Sequence, residues 1–133
     1  MEDVFVLSAV RTPIGKYGGG LASVPPCDLA AKVVREAVSR SGVDPAQVGH
    51  AVFGNVIHTE TRDMYLSRVA AVNGGLEVGT PALTVNRLCG SGLQAIISAS
   101  QSIMLGDCEV AVAGGAESMS RGPYWMPSVR ANS

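Results

Sequence analysis

The chain has 133 residues, 47% of them hydrophobic and 16% charged, and its 10 basic and 11 acidic side chains leave a net charge of -1. Soluble domains average roughly 25% charged residues, so this composition excludes a disordered polar polypeptide and suits one small domain. No basic surplus and no local basic cluster is present to hold nucleic acid.

In chain order, Val4 to Val10 is a β-branched apolar run that predicts a buried first strand. Glu2 and Asp3 stand before it, where a signal peptide would carry basic residues. A loop with Gly15 and Gly18 to Gly20 leads to Pro25-Pro26, and Asp28 is the expected N-cap of a first helix that Gly42 ends. Leu29, Val33 and Ala37 together with Ala30, Val34 and Val38 form its apolar face at i, i+4 spacing. Ala51 to Val56 predicts a second strand, and Thr61 to Val72 a second helix stopped by Asn73-Gly74-Gly75. Ala82 to Asn86 predicts a third strand, Cys89 to Leu105 a third helix and Glu109 to Ala113 a fourth strand. Such alternation is the signature of an α/β fold in which helical crossovers join parallel strands. From Gly122 to Pro127 the chain becomes aromatic and Pro-rich with no room to fold, so it reads as a fragment of something longer.

The third helix stands out. Leu88 to Gly106 is 19 residues without a charge, about the length of a membrane span. Ser91, Gln94, Ser98, Ser100, Gln101 and Ser102 are too polar for hydrocarbon, so no membrane partner is expected. Gly92, Ala95, Ala99, Ser102 and Gly106 form a stripe of small residues with Ile96 and Ile103 beside it, and Ile97, Met104 and Leu105 cover another side. A helix with no solvent face belongs inside a layered structure, and a second half or a partner chain must cover it.

The same region holds the one residue placed for chemistry. In Asn86-Arg87-Leu88-Cys89-Gly90-Ser91-Gly92 a strand ends and Cys89 opens the buried helix. Unpaired N–H groups and the positive end of the helix dipole favour a thiolate there and can receive an oxyanion. Gly90 and Gly92 leave room for an acyl group, and ligands of parallel α/β sheets collect at the carboxyl ends of strands. The plainer alternative is that Cys89 is a buried small residue, the commonest fate of a cysteine. Ala95, six residues after Cys89, excludes a phosphatase loop, and Gly92-Leu93 excludes a papain-like signature. Cys89, two residues before Ser91, excludes a serine nucleophile elbow. Gly15-Lys16 lacks the spacing of a phosphate loop.

Cys27 and Cys108 read as structural residues in loops near helix ends, and His50 and His58 as solvated loop histidines. Glu117 reads as a buried structural carboxylate paired with Arg11 or Arg121. Three widely spaced cysteines give no disulfide framework and no metal site, and a reducing cytoplasm is the simplest compartment.

Taken together, three motifs resemble the thiolase family. Asn86 to Ala95 resembles its acyl-enzyme cysteine motif, Gly114 to Ser120 its second signature and Arg11 to Gly15 its N-terminal motif. Arg62 to Tyr65 with Val85 to Leu88 looks most like bacterial acetyl-CoA acetyltransferases of the β-ketothiolase type. The resemblance implies that Cys89 attacks the keto carbon of a 3-ketoacyl-CoA and holds the acyl group as a thioester. It implies that CoA removes that group, that the Cys89 N–H donates to the oxyanion, and that Asn86, Leu88, Gly90, Ser91 and Gly92 shape the site. In reverse, two acetyl-CoA condense to acetoacetyl-CoA. Coenzyme A would be a substrate, with no cofactor required, and the assembly a homo-oligomeric dimer or tetramer.

The implied fold is the N-terminal half of a thiolase, with residues 1–118 as the N-terminal domain and 119–133 as the start of a loop domain. The family order expected for its sheet is 3-2-1-4-5, with an antiparallel fifth strand later in the chain, so the fourth strand would be an open edge. The family's Gly-His-Pro, Cys-x-Gly-Gly-Gly and Asn-containing motifs are not among these residues. The chain alone is therefore expected not to turn over. A ketoacyl synthase and a non-catalytic assembly module are the competing readings, and Gly114 to Met119 argues against the synthase.

Overall fold

A computed structural model describes residues 3–127; the Ser128 to Ser133 end of the expected loop domain lies outside them. Helix α1 spans Pro26–Ser41, strand β1 His50–Gly54, helix α2 Leu66–Asn73, strand β2 Ala82–Val85, helix α3 Ser91–Met104 and strand β3 Ala111–Gly115. All strand pairs are parallel and the sheet order is β2-β1-β3.

Strand β1 alternates as a central strand must. Ala51 and Phe53 face α1 and α2, joining Cys27, Ala30, Val34, Leu66 and Ala70 in the larger core. Val52 faces the other way and packs on Ala95 and Ala99 of α3. The result is three layers, with α1 and α2 on one face of the sheet and α3 on the other. Of the apolar face expected on the first helix, Ala30, Val34 and Val38 are in the core, while Leu29, Val33 and Ala37 are half-buried at its margin.

Several expectations are corrected. The N-cap of α1 is Pro25, not Asp28; Pro26 takes the first helical position with its φ already set, and Asp28 falls in the first turn. The second helix is a 3₁₀ turn, Thr61–Tyr65, that continues as the α-helical α2. The fourth strand runs on through Gly114 and Gly115, which pair with Phe53 and Gly54.

The largest difference is at Val4 to Val10. The segment is not a strand, and Phe5 and Val6 are 77% and 81% exposed. The second and fourth predicted strands, β1 and β3, pair directly, so the first does not lie between them as the 3-2-1-4-5 order required. A cleft of about 960 Å³ separates residues 4–17 from β3, with α1 and α3 along its sides. Ser8 Oγ, donating to Ala37 O at 2.7 Å, ties the segment to α1. Extended propensity makes a strand only where a ladder partner is within reach, and here the nearest sheet edge is across the cleft.

Helix α3 is covered on the sheet side alone. Ala95 and Ala99 are buried, while Leu93, Ile96, Ile97 and Met104 are exposed. Its first turn sits unusually close to the sheet. A Cβ on Gly54 would lie 2.6 Å from Ser91 C, and one on Gly115 would lie 3.2 Å from Gly92 Cα. Backbone meets backbone there because neither strand end carries a side chain. Gly54→Ala is expected to destabilise the fold by about 1–3 kcal/mol through overpacking, measured by urea unfolding. Gly20→Ala, with nothing within 4 Å of the added carbon, is the control and should change stability by less than about 0.5 kcal/mol.

Candidate active site

The turn between β2 and α3 is fastened by short polar side chains. Asn86 Oδ1 accepts from the Leu88 N–H at 3.0 Å. The Ser91 hydroxyl accepts from the Arg87 N–H at 2.8 Å and donates to Leu88 O at 2.6 Å. Ser91 N–H also donates to Leu88 O, and Gly90 N–H to Arg87 O. The Arg87 guanidinium donates to Gln94 Oε1, one turn into α3. Ser91 is thus the hub of the turn, buried and bonded on both sides of the residue that precedes the thiol.

These bonds bend the chain sharply. Leu88 has φ 50°, the one non-glycine residue with positive φ among those described, a conformation costing about 1–3 kcal/mol that the surrounding bonds hold in place. Leu88 is 71% exposed, and Cys89 is exposed beside it. The thiol is not the first residue of the helix, as the sequence suggested. Gly90 is the N-cap and Ser91 the first helical residue, because Ser91 turns its N–H and hydroxyl back onto Leu88. Cys89 therefore sits just before the helix, at the carboxyl end of a parallel sheet. Gly92 of α3 rests on Gly115. Of the six residues predicted to make the site, Asn86, Leu88, Cys89 and Gly90 lie in the turn, and Ser91 and Gly92 open α3.

The other candidates lie elsewhere. His50 opens β1, at the opposite end of that strand from Gly54, and His58 lies in the loop beyond it. No histidine takes part in the hydrogen bonds that organise the turn, among the described residues. Glu117 is neither buried nor paired with Arg11 or Arg121. Its two oxygens accept from the Val56 and Ile57 N–H groups at 2.5 and 3.2 Å. Arg121 instead donates to Ser23 O and pairs with Glu60, which also holds Arg62. Two unsatisfied N–H groups at a strand end are a better partner for an exposed carboxylate than a distant guanidinium.

Cys27 is buried in the first turn of α1 rather than in a loop, and its Sγ donates to Asp63 Oδ1 at 3.1 Å. Burial, with the Asp63 carboxylate beside it, pushes the Cys27 thiol up to about 12. Burial would raise the Asp63 carboxyl too, but donors from Thr59, Cys27 and Glu60 outweigh it and hold it below the ordinary value. Burial also raises Cys108, with Asp107 adding to the effect. Sequence reasoning missed Asp63 as the organiser of the 55–65 loop; the Glu60-x-x-Asp63 spacing of a capping box was the available signal.

Among the described residues no three His, Cys, Asp or Glu side chains converge as metal ligands would, and no helix is long and apolar enough to cross a membrane.

The arrangement places an exposed thiol on a hydrogen-bonded turn just before a helix N-terminus, with no side chain crowding Gly90 or Gly92. That is an accessible nucleophile at the positive end of a helix dipole. Comparison with known proteins gives the family. The model of the thiolase N-terminal domain matches residues 4–133. The beta-ketothiolase BktB of Cupriavidus necator is 65% identical over 129 residues, 97% of this chain and 33% of that protein. An acetyl-CoA acetyltransferase of the same organism is 45% identical over 98% of this chain and 33% of its own length. The crystal structure of human mitochondrial 3-ketoacyl-CoA thiolase in complex with CoA superposes with a TM-score of 0.93 at 41% identity. It is matched over 97% of this chain and 33% of that one. The chain spans about a third of the length of these relatives.

The contrast between the two thiols gives a pH prediction. A thiol raised in the folded state from the ordinary 9.0 to about 12 favours folding fully below pH 9 and loses that contribution as pH rises toward 12. Urea midpoints should therefore fall between pH 9 and 12, and Cys27→Ser, which keeps a donor to Asp63, should flatten that slope. In the native chain at pH 8, iodoacetamide should alkylate Cys89 and spare Cys27 until urea is added.

Proposed function

The chain belongs to the thiolase family, as its N-terminal domain, and on that basis we propose that Cys89 accepts an acyl group from a CoA thioester. The observation that carries this is the exposed thiol on the Ser91-fastened turn at the start of α3. The Cys89 thiolate adds to the acyl carbonyl, and the oxyanion that forms is received by the Cys89 N–H, beside the helix N-terminus. The bond from the carbonyl carbon to the CoA sulfur then breaks. The acyl group stays on Cys89 as a thioester and CoA leaves with the proton that the thiol gave up.

With a 3-ketoacyl-CoA the bond that breaks is carbon to carbon, and the departing acetyl-CoA must collect a proton at carbon. In the condensing direction the same carbon must lose one. Both steps need a positioned acid or base. The histidine and second cysteine motifs that the thiolase resemblance assigns to this task are not among these 133 residues. The chain thus holds the acyl acceptor without the groups that complete thiolysis or Claisen condensation. Acyl-CoA and CoA are its proposed partners, with no cofactor, in a homo-oligomer within the reducing cytoplasm, where three free thiols persist.

Labelling tests this directly. After incubation with acetyl-CoA carrying a radiolabelled acetyl group, digestion and peptide mapping should find the label on Cys89 and lose it in Cys89→Ala. Label on Cys27 or Cys108, or none, contradicts the reading. Cys89 alkylating no faster than Cys108 with no acyl transfer would favour the assembly-module reading. Steady-state thiolysis by the 133-residue chain should fall short of a complete thiolase by at least about 10²-fold, the usual contribution of a positioned acid–base group.

A further inference from the structure

Two side chains carry the ladder between β1 and β3 past the ends of the strands. Asn55, fully buried, follows Gly54; its backbone N–H donates to Val85 O at 3.1 Å and its Nδ2 to Ala116 O at 2.9 Å. Ala116 N–H donates back to Gly54 O at 3.1 Å. Glu117 then accepts the next two N–H groups of the β1 side, those of Val56 and Ile57. The stem of the Cys89 turn, at Val85, and the end of β3, at Ala116, are both fastened to Asn55.

The oxygen of the same amide is telling. Asn55 Oδ1 is buried and has no hydrogen-bond partner. A buried acceptor left unpaired is unfavourable, and a leucine, which has the same branching without polar atoms, would carry no such acceptor. What the amide supplies that leucine could not is its N–H donor across the strand ends. Those ends are the surface on which α3 begins. Gly54 and Gly115 abut Ser91 and Gly92 with no side chain between, and Ser91 sets the turn that presents Cys89. A shift of either strand end is passed to the thiol with nothing soft to absorb it.

We propose that Asn55 and Glu117 form a clamp that fixes the two glycine strand ends under α3 and so positions the Cys89 turn. They are positioning residues for the acyl transfer assigned above, and the inference rests on that assignment. Neither residue touches the thiol through a hydrogen bond among those described.

The test uses the 133-residue chain, iodoacetamide as probe and Cys108 as the reference thiol in the same molecule. Rates at both cysteines are followed by peptide mapping across pH in the native chain, in Asn55→Leu and in Glu117→Gln. Both variants should slow Cys89 about three- to tenfold at neutral pH and displace its pH profile, leaving Cys108 unchanged. Glu117→Gln is decisive on sign, because removing a negative charge acts alone to speed a thiolate reaction; a slower Cys89 therefore reports geometry. Glu117 is exposed, so this variant keeps the test open if Asn55→Leu does not fold. A lowered unfolding midpoint with the Cys89 to Cys108 rate ratio unchanged would overturn the proposal, since a merely structural role predicts that result. Alkylation needs no acyl donor. Loss of acetyl labelling at Cys89 in the native chain therefore refutes the acyl transfer, whereas an unresponsive alkylation rate refutes the clamp.

Discussion

Three stretches of backbone meet at the carboxyl end of this sheet with no side chain between them. Gly54 ends the central strand, Gly115 ends its neighbour, and Ser91-Gly92 begins the helix above both. A single methyl group at Gly54 would stand 2.6 Å from the helix backbone. This contact fixes how far along the sheet α3 can start. The starting point fixes Ser91, and the Ser91 hydroxyl fixes the left-handed bend at Leu88 and the exposure of Cys89. The chemistry available at the thiol is in this sense a consequence of two residues without side chains.

Around that contact the polar groups are arranged so that bends rather than charges are stabilised. Asp63 gathers the Thr59 and Glu60 N–H groups and the Cys27 thiol. Glu60 joins Arg62 and Arg121, and Arg62 reaches Asp28. These partly exposed ion pairs contribute little to stability individually. Their effect is to hold the loop after β1 against α1 and the 3₁₀ turn at Met119–Arg121. The same framework separates two thiols of one chain. Cys27 is shut in with a carboxylate and kept protonated, while Cys89 is turned outward beside a helix N-terminus.

Much of this was legible in the sequence where the signal is local or periodic. One of the two i, i+4 rows expected on α1 is fully buried, and in the small-residue stripe of α3 Ala95 and Ala99 are buried, while Gly92 and Ser102 are half-buried and Gly106 is exposed. The strand-to-helix connection from Asn86 to Gly92 could be read because a strand end, a glycine turn and a helix start adjoin in sequence. What could not be read depends on partners distant along the chain. Val4 to Val10 has the composition of a strand, yet a strand exists only in a pair, and the cleft beside β3 leaves it without one. The order of strands likewise depends on packing, not on propensity. Glu117 was assigned a guanidinium because opposite charges attract, but its oxygens went to two N–H groups some 60 residues away. Asn55 carried no signal beyond following a glycine at a strand end. The start of α3 was misjudged by two residues because side-chain bonds from Ser91, invisible to periodicity, hold Leu88 to Gly90 outside the helix.

The claim on which this account turns is that the glycine contact beneath α3 governs the reactivity of Cys89. Gly115→Ala introduces a carbon 3.2 Å from Gly92 Cα and 3.3 Å from Gly54 O, so one of these backbones must give way by a few tenths of an ångström. The rate of acetyl transfer from acetyl-CoA to Cys89, compared between this variant and the unaltered chain, is the most direct measurement. A fall of about tenfold or more is expected, with circular dichroism unchanged. An equal rate in a variant that remains folded would contradict it.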